Sequence, residues 1–142
     1  MSITQALCTS FKKEVLEAVH DFTSHTFKIA LYTSAASLNA ATTAYTATGE
    51  VVGTAYTAGG AALTVTGSAV SVSNTTVYVD FADATWATAT ITARGALIYN
   101  DSVAGDPAVA VLDFGTDKTV TAKDFVVSFP TASTTAAIVR LV

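Results

Sequence analysis

The sequence predicts a mainly β protein, in which one N-terminal helix precedes antiparallel strands forming a sandwich or barrel. Three observations predict it. Apolar residues recur at three- and four-residue steps up to Phe22 and at two-residue steps from Phe27. Strand-like runs then follow at short, regular intervals, divided by Gly, Asn, Asp and Pro. The 142-residue chain suits one domain, 1–142, and is 51% hydrophobic but only 13% charged, about half the usual charged share. A disordered chain has the reverse composition.

The helix is expected over residues 3–21. Ser2 and Gln5 have the spacing of a capping box, in which each side chain answers a backbone N–H of the first turn. Ile3, Leu7, Phe11, Val15, Val19 and Phe22 make one apolar stripe, with Lys12, Lys13, Glu17 and Asp21 lying off it.

The β region is expected over residues 26–142. Phe27, Ile29 and Leu31 share one face of the first strand; Lys28, Ala30 and Tyr32 share the other. Residues 33–60 hold Ala, Thr, Ser and Gly with few bulky groups. Within them Thr43-Ala-Tyr-Thr-Ala47 returns as Thr54-Ala-Tyr-Thr-Ala58. The echo is either low complexity or two short strands meeting across the Gly49–Gly53 turn, with Tyr45 near Tyr56.

Further strands are predicted at 61–66, 69–73, 76–81, 87–93, 95–100, 108–114, 119–128 and 136–141. Turns are expected at Gly67, Asn74, Asp83, Asp101 to Asp106, Gly115 to Lys118, and Pro130 to Ser133. Val79-Asp80-Phe81 and Leu112-Asp113-Phe114 read as matched strand ends in a meander or Greek key. Thr and Val favour a pleated surface. The 27 alanines do not, so they need a reason. Either they let a second layer approach closely, or they form a flat surface for a partner.

Catalytic constellations are not evident. His20 and His25 sit at the helix-to-strand junction, and no Gly-x-Ser-x-Gly elbow or phosphate-binding glycine loop occurs. The histidines also lack a Cys pair or a His-Glu-x-x-His frame for a metal. The loop Asn100 to Asp106 offers oxygens without the alternating carboxylates of a calcium loop. Asp80, Asp83, Asp113, Asp117 and Asp124 lie at strand ends or turns, where Asp commonly caps backbone N–H groups. Trp86 among small residues reads as a core or interface anchor, or alternatively with the tyrosines as a sugar platform. Catalytic, cofactor-binding and metal-ligating residues are therefore each read as none, and Cys8 as a small buried residue on the helix.

Net charge is −4, so direct nucleic-acid binding is not expected, because phosphate neutralisation needs clustered cations. No apolar run reaches a membrane span, and residues 1–10 lack the basic start of a secretion signal. The expectation is a protein made in the cytoplasm and released, if at all, by lysis.

Seven stretches stand out together: Ser10-Phe-Lys-Lys-Glu-Val-Leu16, His20-Asp-Phe22, Thr26 to Ser34, Thr42 to Val51, Ala58-Gly-Gly60, Ala93 to Tyr99, and Ala110 to Gly115 with Asp124-Phe125. They resemble short virion proteins of tailed phages. The resemblance covers about residues 10 to 130, and its motifs are structural. It implies a jelly-roll-like β-sandwich acting without catalysis as a capsid cement or decoration protein. It also implies a place on the capsid surface of a virion, bridging major capsid protein subunits as a homodimer or homotrimer. A neck, tail or fibre-base component is the alternative it leaves. A carbohydrate-binding attachment module using Trp86 is a further alternative, from the residues rather than the likeness.

Overall fold

The computed structural model describes residues 2–65 and 68–142. It is mainly β, with antiparallel sheets and one short N-terminal helix. The elements are β1 (Ala6–Leu7), α1 (Thr9–Leu16), β2 (Phe27–Tyr32), β3 (Ala61–Ala62), β4 (Ser71–Ser73), β5 (Thr76–Val79), β6 (Ala84–Asn100), β7 (Ala108–Val127) and β8 (Val139–Leu141). One sheet has the order β1-β7-β6-β2-β3; the other is β4-β5-β8. Thr66 and Gly67, the end of one expected strand and the turn after it, lie outside the described residues.

The helix is shorter than the expected 3–21. Ile3 bridges Leu38, and Ala6 and Leu7 pair with Val111 and Ala110 of β7. Those backbone partners displace the expected first helical turns, so Ile3 and Phe11 are both buried although helix begins only at Thr9. The capping box does not form: Leu38 N–H donates to the Ser2 carbonyl, and Gln5 Oε1 accepts the Asp113 N–H. Cys8, fully buried, stands at the N-cap. At the other end Ala18 takes a φ of +60°, which stops the helix and turns the chain toward His20.

The large sheet is built on one long hairpin. The expected pairs of strands 87–93 with 95–100, and 108–114 with 119–128, fuse into β6 and β7. Bulges absorb the irregular sequence. Between the pairs Ala93–Lys118 and Gly95–Asp113, β6 contributes Arg94 alone, whereas β7 contributes Phe114, Gly115, Thr116 and Asp117. The expected Gly115 to Lys118 turn is thus an excursion that returns to the same ladder. Arg94 reaches Asp113 at 3.8 Å and Asp117 at 3.6 Å across its base. Leu112-Asp113-Phe114 consequently lies inside β7, while Val79-Asp80-Phe81 does close a strand; the expected match of strand ends does not hold.

Both faces of β2 are covered. Phe27, Ile29, Leu31, Ala30 and Tyr32 are buried and Lys28 half-buried. Residues 33–60 form much of the cover as a thin, mostly irregular layer. A Cβ at Gly60 would stand 1.9 Å from the Ile29 carbonyl oxygen, and one at Gly53 would stand 2.5 Å from that of Thr90. Only backbone fits so close. Ala30, Ala36, Ala89, Ala93, Ala96 and Ala108 are buried as well, so the alanines of these strands serve close approach of layers. On the remaining side, the rings of Phe11, Phe22, Phe27, Phe81 and Phe129 form a chain of contacts linking α1, β2 and the segments beside the small sheet.

Candidate functional site

The densest polar arrangement gathers four tyrosines around Glu50. The bridge between Tyr32 and Glu50 sets the carboxylate beside the end of β2. Glu50 Oε2 accepts the Tyr45 hydroxyl at 2.6 Å. Glu50 Oε1 accepts the Tyr56 hydroxyl at 2.7 Å and the Gly59 N–H at 2.7 Å. The Tyr56 oxygen also accepts the Leu31 N–H at 2.8 Å, so this phenol joins the loop to β2. Tyr99 donates to the Gly59 carbonyl at 2.6 Å and Tyr32 to the Thr46 carbonyl at 2.7 Å. The Tyr45 and Tyr99 rings stack at 4.9 Å.

Burial, reinforced by the negative Glu50, pushes the Tyr45 phenol up to about 12 and holds Tyr32 and Tyr56 well above the ordinary tyrosine range. Burial and then Asp101 do the same to Tyr99. These phenols remain hydrogen-bond donors at neutral pH, and three donors converge on the Glu50 carboxylate. The arrangement clasps residues 33–60 to β2 and β6. The echoed pentapeptides do not pair as strands: Ala44 bridges Pro107 and Thr54 bridges Thr90. They do bring Tyr45 and Tyr56 together, through a Glu50 that the sequence reading passed over. An acid centred between two echoed tyrosines was the available signal.

The other candidates are placed as follows. Trp86 is 6% exposed, packed against Tyr56 and Phe125, the core anchor of the two readings. His20 and His25 converge on Asn100 at the end of β6. In the 100–106 loop, Asn100 Oδ1 accepts the Ser102 N–H, Ser102 Oγ accepts the Thr26 N–H, and Asp101 pairs with Lys28 at 3.4 Å. Asp83, Asp113 and Asp124 accept backbone N–H groups of Phe129, Gly115 and Thr88; Asp83 lies between strands as expected, whereas Asp113 and Asp124 lie within β7, beside breaks in its register. Among the described residues no group of three His, Cys, Asp or Glu is placed to hold a metal ion, and no helix is long and apolar enough to cross a membrane.

The outer surface is different in kind. Val72 pairs with Val77, and Val77 with Leu141, so one apolar row crosses the small sheet. Val72 is 69% exposed and Leu141 52% exposed, with Val70 and Val142 beside them in the chain. An apolar cavity of about 170 Å³ opens between Phe11, Val15 and Phe22 on one side and Val77, Val139 and Leu141 on the other. A groove of about 490 Å³ runs past β1, Leu112 to Phe114, Val127 to Pro130, and Ala137 with Ile138. Ala137 and Ile138 thus line the groove, and Val139 and Leu141 the cavity.

No protein-family model, curated protein or solved structure matches this chain.

Proposed function

We propose that the chain is a non-enzymatic virion structural protein of a tailed phage, acting as a capsid cement or decoration protein. It binds the major capsid protein, bridges neighbouring shell subunits and works as a homodimer or homotrimer on the capsid surface. It is made in the cytoplasm of the bacterial host. In this reading its two antiparallel sheets are the halves of a jelly-roll-like sandwich.

One observation carries the proposal most. Polar groups that could do chemistry, Glu50 above all, are occupied by internal hydrogen bonds, while apolar Val72 and Leu141 stand in the open. Exposed apolar patches rimmed by polar residues mark surfaces that a partner covers. Interface cores are likewise poor in charge. Three of the seven cations form ion pairs within the chain: Lys13 with Glu17, Lys28 with Asp101, and Arg94 with Asp113 and Asp117. The sequence likeness to phage virion proteins supplies the partner. Many weak contacts, repeated over a shell and shared between subunits, add up through avidity.

Separating heads from tails and measuring the protein in each tests the proposal. Head fractions carrying it in proportion to the shell subunit support it. A few copies confined to tails or necks would move the protein to that part of the particle.

A further inference from the structure

The chain has two histidines, and both meet one buried amide. Asn100 is fully buried at the end of β6. Its Oδ1 accepts the Ser102 N–H at 2.9 Å, which fixes the orientation of the amide. Its Nδ2 stands 3.1 Å from His20 Nδ1 and 2.9 Å from His25 Nδ1. An amide nitrogen donates and does not accept. Both Nδ1 atoms must therefore accept, which leaves each neutral ring its proton on Nε2. His20 spends that proton on Glu14 Oε1 at 3.1 Å. His25 Nδ1 accepts a second N–H, from Asp21, at 3.2 Å.

These rings lie in residues 17–26, the connection between α1 and β2. Its Phe22 stacks on Phe27 at 4.4 Å, and Phe11 of α1 lies 4.9 Å from the His20 ring. Phe11 and Phe22 in turn wall the apolar cavity beside the small sheet. Asn100 thus ties the wall of that cavity to the main hairpin.

We propose that Asn100, His20 and His25 form an acid-sensitive latch. A proton added at Nδ1 of either ring puts a donor against a donor, the bond to Asn100 is lost, and the α1–β2 connection is released from β6.

Charged groups face the latch from α1, from the connection itself and from β2. From α1, Glu14 faces His20 Nε2, a hydrogen bond that becomes an ion pair when the ring is protonated and so works against release on that side. Asp21 sits in the connection itself. The hydroxyls of Thr23 and Ser24 and the Thr23 N–H hold its carboxyl down to about 2, so it stays ionised throughout. From β2, Lys28 is paired with Asp101, the residue after Asn100. At the head of α1, burial and then Glu14 push the Cys8 thiol up to about 11, which keeps it neutral.

Comparing the whole chain at pH 7.5 and pH 5.5 tests the latch, because histidine is the side chain whose unperturbed titration falls in that interval. A proton at Nδ1 removes the bond that Asn100 makes only to the unprotonated nitrogen, so the chain is expected to be less stable at pH 5.5 than at pH 7.5. Asn100→Asp replaces the donor with an acceptor for Nδ1–H, and its dependence on pH should reverse in sign. Should that variant not fold, nitrogen NMR of the wild-type imidazoles reads the same property, with both Nδ1 atoms unprotonated at pH 7.5. Equal stability at the two pH values, or an Nδ1–H on either ring at pH 7.5, overturns the proposal.

Discussion

Tyr45 and Tyr56, eleven positions apart in an echoed pentapeptide, grip opposite oxygens of one carboxylate, at 2.6 Å and 2.7 Å on Glu50. The clasp holds a layer made of residues too small to hold themselves. Gly, Ala and Thr let residues 33–60 lie close on β2 and β6 but bury little apolar area, so hydrogen bonds to a charged group must supply part of the attachment.

The two phenols are not equivalent. Tyr45→Phe removes one bond to a charged acceptor, a loss of about 1.5 kcal/mol or somewhat more. Tyr56→Phe also strands the Leu31 N–H, adding a further loss of about 1–3 kcal/mol. Urea unfolding of the two variants checks the order. A smaller loss for Tyr56→Phe contradicts the described clasp.

Alkali should open the same cluster. Unfolded phenols lose their proton near pH 10. Burial, with Glu50 behind it, holds the Tyr45 proton to about 12 and those of Tyr32 and Tyr56 higher than usual. The folded state thus binds more protons between those values, and stability is complete below pH 10 and lost as pH rises through the window. Tyr78 of β5 is the fifth tyrosine and stands outside the cluster, so in a Tyr78→Phe background tyrosinate absorbance should appear together with loss of circular dichroism. Ionisation of these phenols near pH 10 in an intact fold is the contrary result.

Two glycines at positive φ separate close packing from backbone strain. Gly60→Ala meets the Ile29 carbonyl oxygen at 1.9 Å, whereas Gly105→Ala meets nothing within 4 Å. The second change is expected to cost about 1–2 kcal/mol, that of a left-handed residue alone. The first should cost distinctly more or prevent folding. Comparable unfolding midpoints would show that the cover does not lie against β2 as described.

Trp86→Ala should act as a core deletion of about 3–5 kcal/mol, measured by urea unfolding, because the indole is buried against Phe125 and Tyr56. The milder Trp86→Phe should keep shell binding. Selective loss of glycan binding by a Trp86→Phe variant of unchanged stability would instead restore the sugar-platform reading.

Periodicity made the strands legible, because alternation follows directly from the pleat. It misjudged the helix, because residues such as Ile3 and Phe11 reach one core from a bridge and a helical turn alike. The excursion at Phe114 to Asp117 was read as a turn between strands because Gly115 and Asp117 carry turn chemistry whether or not the chain rejoins its ladder. Glu50 escaped notice because one acid in a small-residue stretch has no pattern of its own; its partners are set by folding. The Asn100 amide is equally silent in sequence, since nothing local tells that His20 and His25 lie on it.

We propose that this protein covers adjoining shell subunits through its exposed apolar surface. Sedimentation of the purified protein with expanded shells that lack it tests this most directly. Saturable binding is expected, with Leu141→Asp weakening it while leaving the unfolding midpoint nearly unchanged. Wild-type protein that stays wholly in the supernatant, a monomer indifferent to shells, would contradict it.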